Sequence, residues 1–171
     1  MNKLRGFSLL EVLVTLLLVT VGVLGMVAMQ GRAIQYTADS LHRTQAALLA
    51  NELVEIIRAT PTAVTTDTTA PLYFAGTLPV STTGSCLQLA EANLISRQIE
   101  CWGSKVTSLL PGADQTNVRS QFYVCLSTSE GVCGNGAAVE IQLAWRAAGE
   151  QCFDSSAADS GICVYRVRTQ I

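Results

Sequence analysis

The feature that most constrains this chain is an apolar run from Phe7 to Met29, broken by a single charged residue, Glu11. Its 23 residues, at about 1.5 Å of helical rise each, span about 35 Å, enough to cross a bilayer core of about 30 Å. Ahead of it, Lys3 and Arg5 stand without an acidic residue among positions 1–6. Positive charge on that side holds the N-terminus in the cytoplasm and directs everything after Met29 outward. The run differs from a secretory signal, which has a shorter apolar core ending in a small-residue cleavage site. It differs from a lipoprotein signal too, because no cysteine follows it. A plain single-span anchor accounts for everything except Glu11.

A carboxylate in the hydrocarbon region costs a few kcal/mol, about 3 on insertion scales for comparable charges. Glu11 can reduce that cost by reaching for the nearby interface, or it can have a cationic partner at its own depth. Cleavage after Gly6 would create such a cation, because Phe7 would then carry a free amine four residues before Glu11.

The cysteines speak for the same compartment independently. All six lie between Cys86 and Cys163, and an even count confined to one part of a chain reads as a disulfide framework in an oxidising environment. Metal binding fits poorly: there is no Cys-x-x-Cys and the sole histidine, His42, is remote in sequence, so zinc-ligand spacing is missing. No metal or cofactor is expected. With 14% charged residues and a net charge of -2, the chain also lacks the basic field by which nucleic-acid binders release counterions.

Helical spacing continues past Met29. Ile34, Ala38, Leu41, Leu48, Leu49, Leu53, Ile56 and Ile57 recur at three- and four-residue steps, with Arg32, Asp39, Arg43, Asn51, Glu55 and Arg58 mostly elsewhere. This predicts an amphipathic helix whose apolar stripe the rest of the chain covers. Pro61 disfavours helix at the residue before it, so the helix is expected over Phe7–Ala59, 53 residues and about 80 Å long. Gly22 and Gly25 are its soft points, suited either to bending or to close helix contact.

Residues 60–85, rich in Thr, Ser, Pro and Gly, read as an irregular connector. Leu94, Ile95, Ile99, Trp102, Val106, Leu109 and Leu110 then predict a second helix, stopped by Pro111-Gly112. The last third alternates. Phe122, Val124 and Leu126 share one strand face; Val139, Ile141, Leu143 and Trp145 share another, opposed by Glu140, Gln142 and Arg146; Ile162–Ile171 gives a third strand. That pattern predicts an antiparallel meander with one face on a core.

Six cysteines allow fifteen pairings. On one straight helix Cys86 and Cys101 would lie about 22 Å apart, far beyond the reach of a disulfide. Cys86 therefore either folds back from outside the helix or has its partner elsewhere. The sequence-local choice is Cys86–Cys101, Cys125–Cys133 and Cys152–Cys163. The expected fold class is α+β: a long N-terminal helix packed on an antiparallel sheet in a disulfide-tied head.

Arg5-Gly6-Phe7-Ser8-Leu9-Leu10-Glu11, followed by the apolar run, resembles the class III leader of type IV pilins and pseudopilins. The resemblance implies that prepilin peptidase cuts after Gly6 and methylates Phe7, and that Glu11 serves assembly. It implies a cleaved leader at 1–6, a transmembrane half-helix at 7–29 and an amphipathic half at 30–59. A periplasmic head follows at 60–171, with connector and helix at 60–120 and the sheet at 121–171. Residues 6–14, the stretch ending Ile56-Ile57-Arg58-Ala59, the segment from Trp102 to Gly112, and Ile141–Trp145 together resemble PilV-type minor pilins. The Cys152–Cys163 loop is similar to the C-terminal disulfide loop of many pilins. The extra cysteines and the long connector depart from that pattern.

The resemblance implies a minor pilin at or near the tip of a pilus, anchored in the bacterial inner membrane before assembly. Its partners would be other minor pilins, the major pilin, prepilin peptidase and the inner-membrane assembly platform. A pseudopilin of a type II secretion system has the same leader, and neighbouring genes would separate the two. A membrane-anchored adhesion or binding protein is the reading from another class. An enzyme is not expected, because a serine or cysteine nucleophile needs a base within reach and His42 lies on the long helix among Arg32, Asp39 and Arg43.

Overall fold

The computed structural model describes residues 8–60, 74–80, 86, 94–147, 152 and 161–170. The chain divides into two compact units, Met1–Thr37 and Ala38–Ile171. One helix, α1 (Leu9–Ala59), supplies residues to both.

In the first unit, every described side chain is exposed, and the helix is long and apolar enough to cross a membrane. It starts at Ser8, whose carbonyl accepts from the amides of Glu11 and Val12. Thr15 and Thr20 would be polar intrusions in an apolar span, but their hydroxyls donate to the carbonyls of Val12 and Leu17, so neither is left unpaired in lipid. The helix runs unbroken through Gly22 and Gly25, and nothing lies within 4 Å of where a Cβ would stand on either.

In the second unit, α1 ends where Thr60 closes back on it, its amide to Ile57 and its hydroxyl to Ile56. The helical face that packs is Ala46, Leu49, Ala50, Leu53, Val54, Ile56 and Ile57, together with Asp39. This corrects the expected stripe: Leu41 and Leu48 are 56% and 64% exposed, whereas Asp39, assigned to the polar side, is buried. The packed line carries Ala46 and Ala50, whose small side chains let neighbouring elements approach the helix closely. Apolar spacing alone did not distinguish that line from a second apolar line on the same helix. In the first unit, Ile34 of the expected stripe is exposed as well.

The sheet has β1 (Phe74–Ala75), β2 (Tyr123–Ser129), β3 (Val132–Cys133), β4 (Ala138–Arg146) and β5 (Ile162–Gln170), ordered β1-β2-β4-β5 with β3 pairing on β2. Every pairing is antiparallel. The meander β2-β4-β5 is the expected one. The short strands β1 and β3 are additions, two residues each and too brief for periodicity to reveal. Of the expected connector, residues 61–73 and 81–85 lie outside the described residues, while Phe74 and Leu78 belong to the core.

Strand register places Val124, Ile141 and Val167 in one row and Cys125, Glu140 and Arg168 in the next, so they fall on opposite faces. The face with Leu143 and Trp145 joins the core with α1. The opposite face was expected to be solvated. Instead, Glu140 is 0% and Gln142 5% exposed, because the turn after β2 reaches back to Glu140 and the Gln142 amide donates to the Gln121 carbonyl.

Helix α2 (Leu94–Leu109) buries Ile99, Trp102, Gly103 and Val106 and exposes part of Leu94 and Leu109. The Trp102 indole donates to the Leu49 carbonyl of α1 at 2.9 Å, and its ring lies 6.2 Å from that of Phe74. Gly103 is required by close approach, since a Cβ there would overlap the Pro79 carbonyl. Gly112 follows α2 with φ +70°, a left-handed conformation that glycine adopts without strain. A short helix, α3 (Thr116–Arg119), then leads into β2.

Candidate assembly site

Two of the three residues singled out at the N-terminus, Gly6 and Phe7, lie outside the described residues. The third, Glu11, is in the first turn of α1 and exposed. An acidic group there is favoured by the partial positive charge of the helix N-terminus. Around it, Leu9, Leu10, Val12, Leu13 and Val14 project outward without cover. Since Thr15 and Thr20 are satisfied within the helix, Glu11 is the carboxylate left in an otherwise apolar surface. Among the described residues no side chain pairs with it. A carboxylate buried in such a surface strongly prefers a cation at its own level.

The cysteines form three bonds in the head: Cys86–Cys101, Cys125–Cys133 and Cys152–Cys163. Cys86 lies outside α2 and Cys101 within it, which is how two residues 15 apart in sequence come to 5.6 Å between Cα atoms. Cys125 and Cys163 are buried; Cys133 is exposed. Among the described residues no group of three or more His, Cys, Asp and Glu could hold a metal ion. His42 is half-buried on α1, with Nδ1 3.3 Å from the Gln45 side-chain oxygen.

Sequence reasoning passed over two buried carboxylates. Asp39 accepts from the Trp145 indole at 3.0 Å. Glu140 accepts from the Tyr123 hydroxyl at 2.6 Å, the Ser127 hydroxyl at 2.6 Å and the Gly131 amide at 2.7 Å, and pairs with Arg166 at 3.4 Å. Burial by itself would raise the Glu140 carboxyl. The hydrogen bonds from Ser127, Tyr123 and Gly131 and the charge of Arg166 outweigh it, and hold the group below the ordinary glutamate value. Burial first, then the bond to Glu140 and its charge, push the Tyr123 phenol well above its usual value. The available signal was a glutamate in the middle of a strand with arginines and a tyrosine at cross-strand distance.

Residues 1–27 match the model of the prokaryotic N-terminal methylation motif, and residues 28–101 match that of type IV pilin Tt1218. The chain is type IV pilin-like. Comparison with curated proteins and with solved structures gives no match. Residues 102–171 fall outside both family models. Pilins are structural subunits and not an enzyme family. The methylation motif suggests processing by a peptidase and pilus assembly with other pilins. The apolar helix agrees with membrane anchoring.

Proposed function

We propose that this pilin is a minor type IV pilin of the PilV kind, which joins other minor pilins and the major pilin to prime pilus assembly at or near the tip. Prepilin peptidase removes residues 1–6 by cutting after Gly6 and methylates Phe7. Before assembly, residues 7–29 hold the subunit in the bacterial inner membrane with its N-terminus cytoplasmic, and residues 30–59 carry the helix into the periplasmic head. In the filament Glu11 pairs with the Phe7 amine of a neighbouring subunit, and the inner-membrane platform adds subunits in that register. The term acts mainly as a specificity device, because a buried charge strongly prefers to be paired while pairing two buried charges contributes little net stability.

The observation that carries this reading is the combination of the methylation motif with an exposed apolar helix whose first turn holds Glu11. The test is the intact mass of the protein purified unreduced from its native membranes. Loss of Met1–Gly6 and gain of one methyl are expected, with the loss of six thiol hydrogens for the three disulfides. A chain still beginning at Met1 in cells with an active prepilin peptidase would overturn the processing on which the proposal stands. Pilus counts in a strain lacking this subunit then test the priming role, and an unchanged count would remove it.

A further inference from the structure

Glu11 and Arg32 bracket the apolar part of α1. The 20 residues between them carry no charge and run about 30 Å as a helix, the thickness of a bilayer's hydrocarbon core. Placing Glu11 at the inner edge therefore puts Arg32 at the outer edge, where a long cationic side chain reaches the headgroups. Arg32 is exposed. Gln35 and Tyr36 follow it by three and four positions, which sets them on its face of the helix. Both are exposed, Tyr36 at 53%, and a tyrosine at that level is a recurrent feature of membrane–water boundaries. All four residues belong to the first unit.

The charges near Arg32 decide what it binds. Among the described residues no carboxylate pairs with it. Between Glu11 and Glu52 the chain has one acidic residue, Asp39. Asp39 lies two turns beyond Arg32, is buried, and accepts from the Trp145 indole. The cation of the next turn, Arg43, is half-buried. The exposed charge of residues 12–51 is therefore positive and centred on Arg32, at the outer end of the span. A phosphate complements it, because a guanidinium can hold two phosphate oxygens by parallel hydrogen bonds. The Gln35 amide brings further donors to the same face.

We infer that Arg32 is a lipid-binding site: its guanidinium, with the Gln35 amide beside it, holds the headgroup phosphate of an anionic phospholipid in the outer leaflet. The inference rests on the membrane-anchored reading and adds a ligand to it. The bound lipid fixes the height at which the unassembled helix stands in the bilayer. Removal of residues 1–6 takes Lys3 and Arg5 with it, so that in the processed chain Arg32 is the side-chain cation that remains beside the membrane.

The test uses the full chain in mild detergent, offered phosphatidylglycerol and phosphatidylcholine in equal amounts, with retained lipid counted by native mass spectrometry. Preferential retention of phosphatidylglycerol is expected. Arg32→Gln is expected to lower that preference about fivefold, Arg32→Lys to keep most of it, and Arg58→Gln, in the last turn of the same helix, to leave it unchanged. If Arg32→Gln misfolds, wild-type chain in bilayers containing phosphatidylglycerol with a photoreactive headgroup replaces it, and the label is expected on residues 32–36. Equal retention of the two lipids, an Arg32→Gln chain that retains them as wild type does, or a label confined to other residues would each overturn the inference. Displacement of the lipid by inorganic phosphate would overturn it as well, by showing a site for the free anion. The N-terminal mass of the same preparation keeps the pilin reading separately decidable.

Discussion

The Trp145 indole donates to the Asp39 carboxylate across 3.0 Å, tying β4 to α1 over 106 residues of sequence. Both side chains are buried. Removing the acceptor leaves a buried indole N–H without its partner, a loss of about 1–3 kcal/mol. Asp39→Ala is therefore expected to lower unfolding free energy by about that amount. Urea unfolding followed by Trp fluorescence reads both the midpoint and the environment of Trp145.

Glu140 makes the head sensitive to acid. Its folded-state pKa is depressed, so the unfolded state binds a proton more readily, and stability falls as pH drops. The contribution is complete above the unfolded glutamate value of about 4.3 and is lost as pH falls below it through the folded value. Tyr123 works at the other end. Its folded-state pKa is raised, so its contribution is complete below about 10 and declines as pH rises beyond. Glu140→Leu is expected to cost about 3 kcal/mol, since it strands the Tyr123 and Ser127 hydroxyls and the Gly131 amide. It is also expected to flatten the acid limb of a melting-temperature profile. An acid limb equal to wild type would show that another carboxylate governs it.

The approach of α2 to the segment after β1 depends on Gly103. Adding a Cβ there forces the backbone at Pro79 to move, since no flexible side chain can give way. Gly103→Ala is expected to destabilise the head by at least about 1–3 kcal/mol, the usual range for overpacking. Thermal unfolding measures that loss, and amide exchange at Leu49 and Trp102 shows whether the α2–α1 contact loosens with it.

At the other end of the chain, the proposed pairing of Glu11 predicts a split between processing and assembly. Glu11→Ala removes a charge that is costly in lipid, so the variant is expected to insert, be cleaved after Gly6 and accumulate in the membrane. Its incorporation into pili is expected to fall. Comparing membrane and sheared-pilus fractions by immunoblot checks both halves, and normal incorporation would leave Glu11 without its assembly role.

How much of this was legible in the sequence depends on whether a residue's role is local. The long helix, the second helix ending at Pro111-Gly112 and the order of the three main strands were readable, because each is set by spacing within one segment. Asp39 was not, because a carboxylate beside Ala38 reads as solvated until Trp145 arrives from far along the chain. Leu41 and Leu48 were assigned to the covered stripe because two apolar lines run along α1, and only the packing of the head chooses between them. Phe74 and Leu78 were hidden in a connector whose Thr, Ser and Pro content outweighed two isolated apolar residues. At the N-terminus the motif was legible because it lies within a few consecutive positions, and residues 1–27 match the methylation-motif model.

The Cys125–Cys133 disulfide and Glu140 act on one loop, and this yields a test by coupling. Cys125 is the cross-strand partner of Glu140, and the loop that the disulfide closes carries the Gly131 amide to the Glu140 carboxylate. Opening the bond by Cys125→Ser with Cys133→Ser is expected to cost about 2–3 kcal/mol from loop entropy. Once the loop is free, Gly131 no longer holds its place, and Glu140 has already lost one donor. Replacing Glu140 by Leu in that background therefore has less left to remove. The two losses are expected to fall short of additivity by about 0.5–3 kcal/mol in a double-mutant cycle. Strict additivity would mean that β2 and β4 position Gly131 without the disulfide, and that the bond constrains only the unfolded chain.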